Sequence, residues 1–520
     1  MAWFRLGVQA RTCSGLTALN ALKRELQRAL GLLILLAGFG FNIPAQAGNA
    51  LVADAIEAKD SARTSRLLAS KPDVNAAQVD GMTALHWAAF HDHAELGRKL
   101  LKLGANAKAK NRYGITPLYL ACLNGNGSLV RSLLESGADP DSSINGGETA
   151  LMTASRTGKI GAVVALIKAG AKTDVKERNG QTAIMWAAAE GHTEVVDALL
   201  TAGADFKTPL EDSGYTAFLF AVREGQTEVV RLLLKAGADI NAVMNPGKTK
   251  GKSPKKGTSP LLLAVENGHY DLAVELLDAG ADPNDARSGY TILHSLTWIR
   301  KPDIGESASG DPEPQGSGRR NSVQFIRELV KRGADVNARL KRGKRAGKGH
   351  VSETGATPFF LASDRADLTY MKLLVELGAD PMLPNKDGTT PLMVAAGIGS
   401  AAPEEEAGSE SECLAAVKYL VSLGAEINTV DANGETAMHG AAYKNLPSMA
   451  RYLNSVGAEI KIWNTNNALR RTPLLIAEGY RPGNFKPSFE TVAAITEVML
   501  ANGVKPPTGP KPKHTRDYAN

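Results

Sequence analysis

Apolar residues in this chain come in short bursts that recur on a steady beat. The stretch Asn179 to Phe206, N-G-Q-T-A-I-M-W-A-A-A-E-G-H-T-E-V-V-D-A-L-L-T-A-G-A-D-F, carries one whole period. Asn179-Gly180 predicts a tight turn, because glycine accepts positive φ. Thr182 is placed to cap a helix. Ile184 to Glu190 predicts a short helix of small residues, and Gly191-His192 breaks it. Thr193 is placed to cap a second helix, in which Val195, Val196, Leu199 and Leu200 stand at i, i+1, i+4 and i+5 on one apolar stripe. Gly203 ends it in the C′ position.

The frame repeats from end to end. The stop glycine falls at Gly104, Gly137, Gly170, Gly203, Gly237, Gly280, Gly333, Gly378, Gly424 and Gly457, at intervals of 33, 33, 33, 34, 43, 53, 45, 46 and 33 residues. A helix-opening hydroxyl keeps a related beat at Thr83, Thr116, Thr149, Thr182, Thr216, Ser259, Thr291, Thr357, Thr390, Thr436 and Thr472. Thr116-Pro117-Leu118, Thr390-Pro391-Leu392, Thr472-Pro473-Leu474 and Thr83-Ala84-Leu85-His86-Trp87-Ala88-Ala89 open their units most plainly. Over about residues 50 to 503 the chain closely resembles the ankyrin repeat family, whose unit is a turn and two helices opened by T-P-L-H-x-A. The resemblance implies an all-α solenoid of about 11–12 helix-turn-helix repeats with hairpin fingers. Each repeat buries its apolar face against its neighbours, so a chain of 520 residues needs no single core.

That frame divides the chain. Residues 48–79 predict an N-terminal capping repeat, with Leu51, Ala55 and Ile56 on an apolar face and Asp54, Glu57, Lys59 and Arg63 on a wet one. Residues 80–243 are regular repeats. Residues 244–471 are irregular repeats with inserts at 245–257, 302–320, 339–353 and 400–411. Residues 472–503 predict a C-terminal capping repeat, in which Arg481 to Pro487 loops out before a helix from Ser488 to Leu500. Residues 504–520 predict a flexible, Pro- and Lys-rich tail.

The first 47 residues differ in kind. Arg5, Arg11, Lys23, Arg24 and Arg28 precede an apolar run from Ala29 to Phe41, and Ala45-Gln46-Ala47 follows it. Basic region, apolar run and A-x-A site make a secretory signal, with cleavage expected near Ala47. The expected compartment is extracytoplasmic: the periplasm of a bacterium, or secreted. Two alternatives stand beside it, an uncleaved membrane anchor and a mitochondrial transit peptide. Membrane association is expected only if the apolar segment stays uncleaved. The whole chain has 60 basic and 54 acidic residues; loss of 1–47 leaves 55 against 53, a net of +2. The basic balance is therefore partly an export feature, and nucleic acid is not an expected partner.

Candidate chemistry is sparse. Cys122 and Cys413 lie in distant repeats, so no internal disulfide is expected. His91-Asp92-His93 lacks two further ligands at zinc spacing. His86, His294 and His439 stand at the family's His position, where the resemblance implies bonding to nearby backbone and hydroxyl groups. Trp87 and Trp186 are expected in the core, with their indole N–H groups partnered. No nucleophile, metal or phosphate motif survives inspection; Gly251-Lys252-Ser253 fails as a phosphate loop because Pro246 stands where its glycine belongs. No enzyme, cofactor, metal or small-molecule substrate is expected.

The resemblance implies binding of another protein by a monomer, through the concave face made by finger tips and first helices. Its contact positions fall at Met82, Phe90, His91, Tyr113, Ile115, Leu123, Asn124, Arg156, Thr157, Gln181, Glu190, Tyr215, Arg223 and Glu224, with Phe90, Tyr113 and Tyr215 as aromatic anchors. The alternative is a polyanion — nucleic acid, anionic lipid or acidic polysaccharide — held by two acid-free finger inserts. These carry Lys248, Lys250, Lys252, Lys255 and Lys256, then Arg339, Lys341, Arg342, Lys344, Arg345 and Lys348. Glu404, Glu405, Glu406 and Glu410 of the 400–411 insert are expected in a solvated loop at the opposite edge.

Overall fold

In the computed structural model, the structure describes residues 50–247, 256–304, 314–342, 351–481, 486–508 and 511. The expected signal lies outside them, as do parts of every insert except 400–411. The described residues hold helices and no strand; one isolated bridge joins Ser143 to Thr149. No described helix is long and apolar enough to cross a membrane. By its contacts the chain forms two compact units. One runs to Thr208 and takes in 216–221 and 228–236; the other holds 209–215, 222–227 and everything from Gly237 onward.

The first unit is a run of short helix pairs: α1 (Leu51–Glu57) with α2 (Ser61–Ala69), α3 (Ala84–Phe90) with α4 (Ala94–Lys102), α5 (Pro117–Asn124) with α6 (Gly127–Glu135), α7 (Ala150–Thr157) with α8 (Ile160–Lys168), and α9 (Ala183–Glu190) with α10 (Thr193–Thr201). First helices stack on first helices and second helices on second. Composition explains this. The first helices are rich in alanine, and Ala88, Ala89, Ala187 and Ala188 are fully buried, so neighbouring backbones approach closely. The second helices each bury one stripe, such as Val195, Val196 and Leu199. In the capping repeat the buried face is Val52, Ala53, Ala55 and Ile56, whereas Leu51 is 36% exposed and outside it. α11 (Ala217–Arg223) and α12 (Thr227–Lys235) contribute residues to both units.

The second unit continues with α13 (Pro260–Glu266), α14 (Tyr270–Asp278), α15 (Ile292–Arg300), α16 (Ser322–Lys331), α17 (Pro358–Asp364), α18 (Leu368–Glu376), α19 (Pro391–Ala395), α20 (Glu410–Ser422), α21 (Ala437–Tyr443), α22 (Pro447–Ser455), the short α23 (Ile460–Trp463), α24 (Pro473–Ala477) and α25 (Phe489–Ala501). Its inserts fold back where they are described. Arg320 pairs with Asp271 at 2.6 Å, and Ser317 donates its N–H to His269 Nδ1 at 2.8 Å. The acidic insert is not simply a solvated loop. One Glu406 oxygen accepts the Ala401 and Ala402 N–H groups, Ala407 and Gly408 are buried, and Glu410 lies in the first turn of α20. Arg481, the first residue of the expected loop, is 4% exposed, and its guanidinium donates to the Ala442 and Tyr443 carbonyls of the preceding repeat; residues 482–485 of that loop lie outside the described residues.

The helix starts sort by the residue three places on. Thr116, Thr149, Ser259, Thr357, Thr390 and Thr472 each accept the N–H of that residue, as a helix cap should. At Thr83, Thr291 and Thr436 a histidine stands there instead, and the hydroxyl meets its Nδ1 at 2.8, 2.8 and 3.0 Å. The histidine Nε2 then reaches a carbonyl of the next repeat, at Ile115, Ala356 and Thr465. Two expected caps are corrected. Thr182 occupies the cap position, but its buried hydroxyl finds no partner. Thr193 is the first helical residue; the cap is His192, whose Nε2 meets the Arg156 carbonyl at 3.0 Å.

A second periodic device ties the loops together. Asn75, Asn241, Asn284, Asn337 and Asn428 each donate to the stop-glycine carbonyl of the next repeat and accept a backbone N–H from its loop. Asp141 and Asp174 accept the equivalent N–H at 2.8 Å, from Lys172 and Asp205. A carboxylate has no proton to donate, so the carbonyl bond is missing there.

Candidate protein-binding face

In the first unit the finger tips and the ends of the first helices carry most of the expected contact positions. The finger at Gly114 is built by its own side chain: Asn111 Oδ1 accepts the Tyr113 and Ile115 N–H groups at 3.0 and 2.9 Å. Adjacent fingers are laced by backbone bonds, Arg112 N–H to the Asp80 carbonyl and Arg178 N–H to the Gly146 carbonyl, both 2.9 Å. Gly114, at φ 79°, supplies the turn conformation that an L side chain would strain.

The fixed fingers present an aromatic group. Trp87 is 6% exposed and donates its indole N–H to Gln78 Oε1 at 2.7 Å. Gln78 in turn donates to Asp54 and Glu57, so the first two repeats share one polar bridge. Phe90 meets Trp87 edge-on at 5.5 Å, and His91 stacks on Trp87 at 5.6 Å. Burial, then the Lys59 charge, hold the His91 imidazole below its ordinary pKa. His91 Nε2 is buried without a hydrogen-bond partner. Tyr113 is 46% exposed, with the Arg112 guanidinium 4.8 Å from its ring centre.

Other expected positions divide. Ile115, Leu123, Arg156, Thr157 and Gln181 are half-buried, and Glu190 is exposed. Arg156 pairs with Glu148 at 3.3 Å and lies 5.8 Å from the Trp186 ring centre. Four positions are corrected. Met82 is 7% exposed and packs inward. Asn124 donates to the Ala89 and Phe90 carbonyls at 2.8 and 3.0 Å, and Thr157 to Cys122 and Ala154. Both side chains therefore close helix ends rather than await a partner. Tyr215, in the second unit, is 7% exposed, which removes it as an anchor; Arg223 lies 5.0 Å from its ring centre and pairs with the exposed Glu224 at 2.7 Å. Trp186 is half-buried, and its indole nitrogen lacks the expected partner.

The basic inserts are described only in part. Lys248, Lys250, Lys252, Lys255, Lys344, Arg345 and Lys348 lie outside the described residues. Lys256, Lys341 and Arg342 are exposed. Arg339 is committed to structure, donating to the Gly355 and Pro384 carbonyls at 3.3 and 2.9 Å. Cys122 and Cys413 are both buried free thiols.

Sequence reasoning missed the Gln78 bridge and the stacking of His91 on Trp87. The only prior signal was that Trp87 and His91 are four apart, which puts them on one helical face.

The chain matches the family description "Ankyrin repeats (3 copies)" at residues 52–144, 91–177 and 151–244, "Ankyrin repeat" at 256–288 and "Ankyrin repeats (many copies)" at 406–453. It is 30% identical over 228 residues to an ankyrin repeat and KH domain-containing protein of Caenorhabditis briggsae, a stretch covering 40% of this chain and 7% of that protein. It is 34% identical over 198 residues to ankyrin repeat domain-containing protein 63 of Homo sapiens and of Mus musculus. That stretch covers 38% of this chain and 42% and 41% of those proteins. The chain thus spans less than half the length of each of these relatives.

Proposed function

Because the chain belongs to the ankyrin repeat family, whose repeats generally mediate binding to other proteins, we propose that it is a non-enzymatic scaffold that grips a partner protein through its finger and first-helix face. The observation that carries this is the aromatic group of the first unit. Phe90 and His91 are packed at the end of α3 against Trp87, and Tyr113 stands 46% exposed on a finger whose backbone is fixed. Rigid aromatic side chains bury large area at small entropic cost, which is why interface anchors favour them.

The reading places this work outside the cytoplasm. Its support is the order of basic region, apolar run and A-x-A site within residues 1–47. The three relatives are animal proteins whose names say nothing of compartment.

A crosslinked pull-down tests both parts. The baits are residues 48–520, the same chain with Phe90→Ala and Tyr113→Ala, and the same chain with its eleven insert Lys and Arg changed to Gln. The expected result is an envelope or secreted partner lost by the aromatic variant and kept by the Gln variant. Loss only by the Gln variant would move function to the basic inserts and an acidic ligand. A cytoplasmic partner would contradict the compartment.

A further inference from the structure

The second unit contains a cavity of about 320 Å³ whose walls are chemically unequal. Its floor is apolar: Phe360 and Leu361 of α17 with Val394 of α19. Leu340 and Ala356 pack in the same cluster, and Tyr290, Trp298 and Val351 flank it. Its sides carry four carboxylates, Asp303, Glu353, Asp364 and Glu406, against two cations, Arg365 and Lys444.

The two cations are already engaged. Arg365 pairs with Asp303 at 3.1 Å and donates to the Lys301 carbonyl at 2.7 Å. Lys444 is 5% exposed and donates to the Ala407 carbonyl at 2.5 Å. Glu406 accepts two backbone N–H groups and Glu353 accepts the Tyr290 hydroxyl. The Asp364 carboxylate forms no hydrogen bond or ion pair with any described residue, yet it remains accessible on the cavity wall. Asp364 is exposed at the cavity wall, yet the dense protein around it partly desolvates the carboxyl and raises it to about 6; Glu406 and Asp303 add to the rise, while Lys444 and Arg365 oppose it.

An apolar floor beneath an open carboxylate and a net negative wall complements one kind of group: a cation on an aliphatic stem. The stem covers the floor while the charged head reaches the carboxylate. We propose that this cavity receives a lysine or arginine side chain of the partner protein. The inference rests on the protein-binding reading above. The walls come from α17, α19 and the loop after α19, with Asp303 just past α15, Val351 and Glu353 ahead of α17 and Lys444 just past α21, so the cavity lies at the ends of first helices, as the aromatic group of the first unit does. An anionic side chain would meet walls of net negative charge, and a purely apolar one would leave Asp364 desolvated and unpaired.

The test is selection of phage-displayed peptides on the full chain. Selected peptides should carry Arg or Lys beside apolar residues. Their affinity should fall about tenfold for Asp364→Asn at pH 7.5, the scale of one charged hydrogen bond. Affinity for the wild type should also fall as pH drops from 7.5 to 5, because Asp364 then takes a proton, and Asp364→Asn should show a flatter profile. The pH arm needs no variant to fold. Peptides without basic residues, or affinity indifferent to both Asp364→Asn and pH, would overturn the inference. Peptides weakened by Phe90→Ala and Tyr113→Ala but not by Asp364→Asn would overturn it while sparing the broader reading. Recovery of no peptide at all would count against both.

Discussion

At the scale of the residue, the histidines at the helix starts set a limit on acid stability. His294 and His439 are fully buried, and burial pushes each down to about 4, with carbonyl partners resisting. A depressed pKa means the folded state binds fewer protons than the unfolded chain, whose histidines titrate near 6.5. The stability held by the neutral rings is present above about pH 6.5 and is lost as pH falls toward 4. Replacing both with Gln keeps a side chain that can reach back to the cap N–H. Thermal melts from pH 7 to 4.5 should therefore fall less steeply for the His294→Gln, His439→Gln variant than for the wild type; equal slopes would refute the assignment. These histidines were legible from their place three residues after the helix-opening threonine, read with the family resemblance. The silent hydroxyl of Thr182 was not, because its sequence context matches that of Thr149, which does cap.

At the scale of the element, the repeat is held by its loop clamps as well as by its helices. Asn337 makes two bonds to the next loop, to the Gly378 carbonyl at 3.3 Å and from the Asp380 N–H at 2.8 Å. Each such bond is worth about 1 kcal/mol. Asn337→Ala should destabilise by about 1–2 kcal/mol in denaturant titration and speed hydrogen exchange at Asp380. Asp141 offers the converse case, because it keeps one bond of the pair. Asp141→Asn should restore a bond to the Gly170 carbonyl and stabilise by about 0.5–1 kcal/mol; no gain would show that the loops differ in geometry. Helix positions were readable because their apolar spacing is local, as at Val195, Val196 and Leu199. The folding-in of the inserts was not. Arg365 reaches Asp303 across 62 positions and Lys444 reaches Ala407 across 37, and charge-rich loops read as solvated unless their partners are known. The anchoring of Arg481 on the preceding repeat was illegible for the same reason.

At the scale of the whole molecule, two units of stacked helix pairs share one logic: first helices pack on first helices and second helices on second. The register of glycines and hydroxyls announced that logic. It could not say which contact positions point outward. Met82 and Tyr215 turn inward and Asn124 and Thr157 close helix ends; among the aromatic-ring positions Phe90, His91 and Tyr113 remain. Site-specific photocrosslinking separates the two surfaces. A benzophenone side chain is placed at Tyr113, on a finger, or at Glu135, exposed at the end of the second helix α6. The partner should be captured from position 113 and not from position 135. Capture from position 135 alone would contradict binding through the finger and first-helix face.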